Sequence, residues 1–225
     1  MNDKERVAHH AAQQIKDGML VGLGTGSTAN YFIEELARRS HEGLHIKVVA
    51  SSVVSAIKAQ SLNLPVLGFD TIQQLDVYVD GADEVSADFD LLKGRGFDLV
   101  REKILARAAD QFWVLIDPSK RVDRIGANYA IPVEVMPFAW QMVKRNLESL
   151  GGVGDLRQTA NKDGLVISSY GSVVLDMVFD AALDTKTLND LLSNTPGVVE
   201  HGIFCNLASV VLCVADGQVV EQKVG

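Results

Sequence analysis

The residues best suited to chemistry are concentrated in the stretch that begins at Val77, VYVDGADEVSADFDLLKGRGFDLVREKIL. Asp80 and Asp83 come directly after an apolar, strand-like run. Surface carboxylates normally scatter, whereas two beside one strand end can bind hydroxyls or move protons. We therefore predict a catalytic role for this pair, against the alternative of a solvated turn.

A cation and a third carboxylate follow on the same stretch. Lys93 precedes the Gly-x-Gly loop formed by Gly94, Arg95 and Gly96, so an ammonium and free amides can face an oxyanion together. Glu102 falls in the first turns of the next predicted helix, where an acid is also favoured simply by the helix dipole. Taken with Asp80 and Asp83, these groups indicate proton transfer beside a stabilised oxygen.

A glycine-rich turn, GLGTGST at residues 22–28, follows a predicted strand. Ser27 replaces the last glycine of a dinucleotide fingerprint, and no Lys precedes it as a Walker loop requires. The turn and the helix after it instead suit a phosphate. The predicted phosphate-binding residues are Gly24, Thr25, Gly26, Ser27 and Thr28, with Ser27 or Thr28 as the helix cap.

Ser51 and Ser52 fall at the end of the next predicted strand, on the side of the sheet where the glycine turn also lies. They are candidate substrate-binding residues by position. The alternative is that they only cap the following helix.

Composition narrows the class of partner. The 225 residues carry a net charge of −8, which argues against a nucleic-acid surface. No apolar run reaches the length that spans a bilayer, and the N-terminus has no signal-peptide core. The five His residues are dispersed and the two Cys lack ligand spacing. We expect a cytoplasmic protein that binds a small molecule, without a metal site and without a membrane or nucleic-acid partner.

Alternating strands and helices must position these groups. Predicted strands read MLVGLGTGST, IKVVASS, PVLGF, QLDVYVDGADE and QFWVLID, and helices such as TANYFIEELARRSHEG and DLVREKILARAAD separate them. This order predicts an α/β fold with a Rossmann-like parallel sheet, whose ligands bind outside the carboxyl ends of the strands.

From about Tyr129 the pattern changes to β-α-β-β-α-β, which is typical of a smaller α+β, ferredoxin-like domain. The last segment, SVVLCVADGQVVEQKV, is predicted to return to the first sheet as a strand and hairpin. The predicted division is a catalytic domain over 1–128 and 205–225 and an α+β domain over 129–204.

Several motifs together resemble the ribose-5-phosphate isomerase A family, nearly end to end. They are GLGTGSTA at 22–29, YVDGADE at 78–84, Lys93-Gly94 followed by REKIL at 101–105, DPSK at 117–120, PVEVMPFA at 132–139 and PGVVEHGIF at 196–204. The combination of DGADE with a downstream KG and REKI is specific.

The resemblance implies an aldose–ketose isomerase that needs no metal or organic cofactor and works through an enediolate. It implies Glu102 as the base that moves a proton between C1 and C2. Asp80 and Asp83 would handle the sugar hydroxyls and ring opening, and Lys93 with its loop amides would stabilise the enediolate oxygen. The glycine turn and Lys120 would hold the phosphate, and a homodimer or homotetramer is expected.

The sequence departs from the family pattern beside the predicted site. KGRGFD places Arg95, Phe97 and Asp98 where glycines and small residues are usual, and SSVVS and SSYGS replace other family motifs. The leading expectation is isomerisation of ribose 5-phosphate. The alternatives are a paralogue for another sugar phosphate, a sugar-phosphate sensor without turnover, and the coenzyme A transferase reaction of a related fold.

Overall fold

The computed structural model describes residues 2–96 and 98–224. Among them, the helices are α1 Asp3–Gln13, α2 Ser27–His41, α3 Val53–Ser61, α4 Leu99–Ala108, α5 Trp140–Ser149 and α6 Thr185–Ser193. The strands are β1 Leu20–Leu23, β2 Lys47–Ala50, β3 Leu75–Gly81, β4 Glu84–Val85, β5 Leu91–Leu92, β6 Ala109–Ile116, β7 Ile131–Val135, β8 Val153–Leu156, β9 Val173–Val178, β10 Val198–His201, β11 Ile203–Phe204, β12 Val210–Ala215 and β13 Gln218–Lys223.

Contacts between residues divide the described chain into two units. The first contains residues 2–82, 101–120 and 207–224, and the second contains residues 83–96, 98–100 and 121–206. The predicted second domain covered residues 129–204, whereas this division also assigns residues 83–96, 98–100, 121–128 and 205–206 to the second unit. The reason is strand pairing, because β4 and β5 pair with each other and β5 with β11.

The first unit is built on a six-stranded sheet in the order β13-β12-β6-β3-β1-β2. All its neighbouring pairs are parallel except the terminal hairpin of β12 and β13. The predicted parallel sheet and the return of the C-terminal segment to it are thus confirmed. Side chains of α1, α2 and the strands form one buried core, which includes Val7, Phe32 and Val79.

The prediction that PVLGF forms a strand of this sheet is wrong. Val66 makes only an isolated bridge to Val48, although Val48 donates to Pro65 O and Leu67 donates back to Val48 O. Pro65 has no N–H to extend the ladder, so the segment stays an irregular connection.

The second unit contains an antiparallel four-stranded sheet in the order β10-β7-β9-β8 and a three-stranded sheet in the order β11-β5-β4. Helices α5 and α6 pack with the larger sheet around a core that includes Val133, Val143, Leu175 and Leu192. This arrangement is the α+β domain that the sequence predicted.

Candidate active site

The glycine turn, residues 22–28, leads from β1 into α2 in the first unit. Gly26 occupies the N-cap with φ 111°, and no side chain caps the helix. The prediction that Ser27 or Thr28 caps the helix is therefore wrong, because the chain reaches the helix through a left-handed conformation that favours glycine. Since no side chain occupies the cap, the first-turn N–H groups are available to an anion.

Hydrogen bonds between hydroxyl groups hold this turn against the end of β2 and the start of α3. The Thr25 hydroxyl lies 2.7 Å from Ser52 Oγ and 3.1 Å from both Ser51 Oγ and Ser55 Oγ, and Ser55 donates to Gly24 O at 2.7 Å. Ser51 and Ser52 are both buried. Ser52 also accepts from Ser55 N as the cap of α3, so it serves both the turn and the helix.

Asp80 lies at the end of β3 with 1% of its surface exposed. Its carboxylate accepts hydrogen bonds from Thr25 N at 3.1 Å, Gly81 N at 2.7 Å and the Tyr78 hydroxyl at 2.5 Å. A Cβ on Gly24 would lie only 2.1 Å from the Asp80 carboxyl carbon. The turn and the carboxylate are therefore in direct contact, which only glycine at position 24 permits.

Glu102 lies in the first turn of α4 and is 7% exposed. Burial, followed by the negative charges of Asp80 and Glu102, raises the pKa of the Tyr78 hydroxyl well above its usual value. Asp80 and Glu102 therefore both lie near enough to this buried hydroxyl for their charges to raise its pKa. Next to Glu102, Arg101 donates to Ala50 O at 3.1 Å and so ties the start of α4 to the end of β2.

Lys120 also belongs to the first unit. It ends a single 3₁₀ turn, Pro118–Lys120, that follows β6. Its N–H donates to Asp117 O at 3.1 Å, which fixes the backbone of this turn at the carboxyl end of a sheet strand.

Lys93 follows β5 in the second unit and is 4% exposed. Its N–H donates to Gly202 O at 2.8 Å, and its Nζ lies 5.8 Å from the centre of the Phe204 ring. Gly94 has φ 93°, so the chain turns sharply just after the lysine. Asp83, in the same unit, donates its N–H to Leu92 O at 2.8 Å.

Arg95 packs against its own unit. Its guanidinium lies 4.1 Å from the centre of the Tyr129 ring, and its Nη1 lies 3.9 Å from Asp83 Oδ1. The side chain is 52% exposed, so it covers an aromatic ring and approaches a predicted site carboxylate while remaining in contact with solvent. Asp98 accepts a hydrogen bond from the Ser169 hydroxyl at 2.5 Å, and Phe97 lies outside the described residues.

The predicted site residues thus fall in both units. The first holds Gly24, Thr25, Gly26, Ser27, Thr28, Ser51, Ser52, Asp80, Glu102 and Lys120, and the second holds Asp83, Lys93, Gly94, Arg95 and Gly96. The sequence did not predict three side chains that contact these residues. They are Tyr78, whose hydroxyl donates to Asp80, Ser55, whose hydroxyl donates to Gly24 O, and Lys4, whose Nζ lies 3.3 Å from Ser27 Oγ. Tyr78 alone had a signal, because side chains two apart on a strand share a face.

In the described chain, no group of three or more His, Cys, Asp or Glu side chains is arranged to hold a metal ion. The same residues contain no helix with the length and apolar character needed to cross a membrane.

Comparison with known proteins gives consistent matches. The family model described as ribose 5-phosphate isomerase A (phosphoriboisomerase A) matches residues 47–218. A ribose-5-phosphate isomerase A from Synechococcus sp. (strain CC9605) is 42% identical over 212 residues, which cover 93% of this chain and 89% of the relative. One from Thermosynechococcus vestitus is 42% identical over 219 residues, covering 96% and 93%.

Solved structures agree with these sequence matches. Ribose 5-phosphate isomerase A from Methanocaldococcus jannaschii superposes with a TM-score of 0.92 at 38% identity, covering 98% of this chain and 97% of that one. A D-ribose-5-phosphate isomerase in complex with phospho-erythronic acid gives a TM-score of 0.93 at 36% identity, covering 99% and 100%.

Proposed function

Because the chain belongs to the ribose 5-phosphate isomerase A family, it interconverts ribose 5-phosphate and ribulose 5-phosphate, and we propose which of its residues carry out the reaction. Glu102 is the base, Lys93 stabilises the oxyanion, and Asp80 and Asp83 handle the hydroxyl groups. One observation carries the roles of Asp80 and Glu102: both side chains are buried, and the negative charges of both raise the pKa of Tyr78.

Proton transfer falls to Glu102. Its carboxylate takes the proton from C2 of the open-chain aldose, and the electron pair forms the C1–C2 double bond while negative charge develops on O1. The protonated Glu102 then returns the proton to C1. The proton on O2 passes to O1, so O2 becomes the carbonyl oxygen and O1 becomes the C1 hydroxyl of the ketose. Burial supports the role, because a carboxyl group shielded from water reacts as a base without competing solvation.

The charge that develops on O1 requires a positive partner fixed in advance. Lys93 suits this task because it is buried and its backbone is held by Gly202. The loop amides that follow add neutral donors beside the ammonium. No metal ion or organic cofactor enters the proposed reaction.

Ring opening and hydroxyl recognition are assigned to Asp80 and Asp83. Three hydrogen bonds fix the Asp80 carboxylate, so its orientation does not have to be established when the sugar binds. Asp83 lies three positions further along the chain, where the chain passes from the first unit to the second.

The phosphate is assigned to the glycine turn, to the open N-terminus of α2 and to Lys120. Lys4, which contacts Ser27, adds a second positive charge at the turn. Ser51 and Ser52 hold the turn in place through Thr25. Binding energy from the phosphate, remote from the reacting carbons, then helps to orient the sugar.

Replacing Glu102 with Gln tests the assignment. The wild-type protein is first assayed for conversion of ribose 5-phosphate into ketose, and Glu102→Gln should lower kcat by about 10²- to 10⁴-fold, as for loss of a general base. Glu42→Gln, on the exposed end of α2, is the control and should keep normal turnover.

Binding is measured separately with phospho-erythronic acid, whose carboxylate resembles the charge of an enediolate. The Glu102→Gln protein should still bind it, because the phosphate contacts remain. Near-normal turnover in Glu102→Gln would remove Glu102 from the mechanism.

We also propose that the protein is a homo-oligomer, a dimer or a tetramer. Phe138 is 81% exposed and Met142 is 69% exposed, and they lie four positions apart across the start of α5. Apolar surface of this kind is typical of an interface between copies. Light scattering should give a dimer or tetramer mass for the wild type and a smaller mass for Phe138→Asp, whereas a monomeric wild type would contradict the proposal.

A cytoplasmic location is proposed from the substrate. A sugar phosphate is charged and does not cross a lipid bilayer unaided, so the enzyme must share a compartment with the reactions that make it. Fractionation of the source cells should recover the isomerase activity with the cytoplasm, and recovery with membranes would contradict the proposal.

A further inference from the structure

Arg157 makes an unusual set of hydrogen bonds within the second unit. Its Nε donates to Asp176 Oδ2 at 2.8 Å, and its Nη2 donates to Asp176 Oδ1 at 2.6 Å. This is a bidentate ion pair, which fixes both the position and the plane of the guanidinium. The Arg157 side chain is only 13% exposed, so little water competes for its remaining donors.

Those remaining donors are directed at the loop that follows Lys93. Arg157 Nη1 lies 3.0 Å from Gly94 O, 3.3 Å from Arg95 O and 3.1 Å from Gly96 O. Three consecutive carbonyl groups therefore converge on one cationic nitrogen, although successive carbonyls of an extended strand point in opposite directions. The positive φ of Gly94, 93°, is what allows the chain to curl around it.

Because these carbonyl groups point towards Arg157, the N–H groups of the same peptides must point away from it. In a trans peptide the C=O and the N–H of the next residue point in opposite directions. With Gly94 O and Arg95 O turned towards Arg157, the N–H groups of Arg95 and Gly96 are turned away from it. Neither N–H donates to a backbone carbonyl among the described residues. Successive amides held in this way form an anion-binding concavity.

We infer that Arg157 is a positioning residue for the isomerase reaction, and that it orients the amides beside Lys93 towards the developing oxyanion. The inference rests on the proposed function, since it supplies the means by which the loop amides stabilise the enediolate. Asp176 takes part by locking the guanidinium plane, and the reacting sugar touches neither side chain.

The substitution Arg157→Lys tests whether the geometry of the guanidinium, rather than its positive charge alone, is needed. Lys keeps the positive charge near Asp176 but has a single nitrogen, which cannot bind both carboxylate oxygens and all three carbonyl groups. Arg157→Lys should lower kcat about 10- to 100-fold, less than the roughly 10²- to 10³-fold typical of deleting an oxyanion donor outright. KM for ribose 5-phosphate should change by less than about threefold, because the lost stabilisation exists only in the transition state.

Two further variants make the test specific. Asp176→Asn leaves Arg157 in place but weakens the ion pair that orients it, so kcat should fall by a smaller factor in the same direction. Arg38→Lys is the matched control, since Arg38 makes a comparable bidentate pair with Glu35 at 2.9 and 2.8 Å in the first unit. Its kcat should match that of the wild type.

Affinity for phospho-erythronic acid supplies a readout that a purely structural role would not change. It should fall in Arg157→Lys in proportion to kcat, while affinity for inorganic phosphate stays constant. All variants are assayed well below their thermal unfolding midpoints. A folded Arg157→Lys with kcat within about threefold of the wild type, or one that changes only KM, would overturn the inference.

Glu102→Gln measured in parallel separates this inference from the proposed function. Loss of turnover in Glu102→Gln with an unimpaired Arg157→Lys would overturn the positioning role alone. Full turnover in Glu102→Gln with a slow Arg157→Lys would overturn the base assignment and leave the positioning role standing.

Discussion

Gly24→Ala is the substitution with the most direct structural consequence, because it adds a methyl group between the glycine turn and Asp80. The added Cβ would lie 2.1 Å from the Asp80 carboxyl carbon and from Oδ1. Carbon atoms in contact are separated by about 3.5 Å or more, so the carboxylate must move by at least about 1.4 Å. Such a shift breaks the hydrogen bond from Thr25 N, and misplacement of a reacting group by about 1 Å costs about 10²-fold in rate.

We therefore expect kcat for ribose 5-phosphate to fall about 10²-fold in Gly24→Ala. The loss of one hydrogen bond to a charged group also costs about 1.5–3 kcal/mol of stability, which chemical denaturation will measure. Gly164→Ala is the control, because no atom lies within 4 Å of the added Cβ and its φ is not positive. If Gly24→Ala were folded and turned over within about threefold of the wild type, the close contact between the turn and Asp80 would not govern catalysis.

Three further predictions concern single side chains. Tyr78→Phe removes the hydroxyl that donates to Asp80 at 2.5 Å but keeps the ring, so kcat should fall about tenfold; an unchanged kcat would mean that this bond does not orient the carboxylate. Arg95→Gly should change ribose 5-phosphate turnover by less than about fivefold, because an exposed ion pair such as Arg95 with Asp83 contributes about 0–1 kcal/mol; a large loss would make Arg95 a participant in the reaction. Burial raises the pKa of Glu134, so the folded protein binds this proton more tightly than the unfolded chain does, and stability is lost as pH rises from the unfolded pKa towards the folded one. Glu134→Gln should therefore raise the unfolding midpoint at neutral pH more than at pH 4, and an equal effect at both values would contradict the pKa direction.

The parallel sheet was predictable because its strands are short apolar runs separated by helices, and each run ends where a polar residue begins. Asp80 illustrates this. Val77 and Val79 are buried in β3, and the strand brings the carboxylate to the edge of the sheet where the glycine turn also lies. The prediction of a site at this edge rests on the same logic, since consecutive strands of a parallel sheet carry their loops to one edge.

The cap of α2 was not predictable from residue preference. Ser and Thr are favoured at this position, and Ser27 follows Gly26 directly, so preference alone selects the wrong residue. The chain instead uses the positive φ of Gly26. At the proposed phosphate site, a hydroxyl at the cap would occupy the N–H groups that the phosphate needs, so the proposed function and residue preference favour different residues here.

Contacts between residues far apart in sequence also could not be predicted from the sequence. Lys4 meets Ser27 across 23 positions, and Arg157 meets Gly94 across 63. No local periodicity predicts such pairs. The assignment of residues 83–100 to the second unit has the same origin, because β4 and β5 are two-residue strands and β11, which pairs with β5, lies more than a hundred residues away.

Under the proposed assignment, Asp80 connects phosphate binding to proton transfer within the first unit. The carboxylate accepts from Thr25 N in the glycine turn and from Tyr78, whose hydroxyl also lies in the field of Glu102. A phosphate that settles on the turn therefore fixes the backbone against which Asp80 packs, and Asp80 in turn fixes its neighbours. In the proposed mechanism, binding energy gained at the phosphate is converted into correct placement of the groups assigned to act on C1 and C2, so a remote contact raises kcat as well as affinity. A sugar that lacks the phosphate should accordingly lose turnover by a larger factor than its weaker binding alone explains.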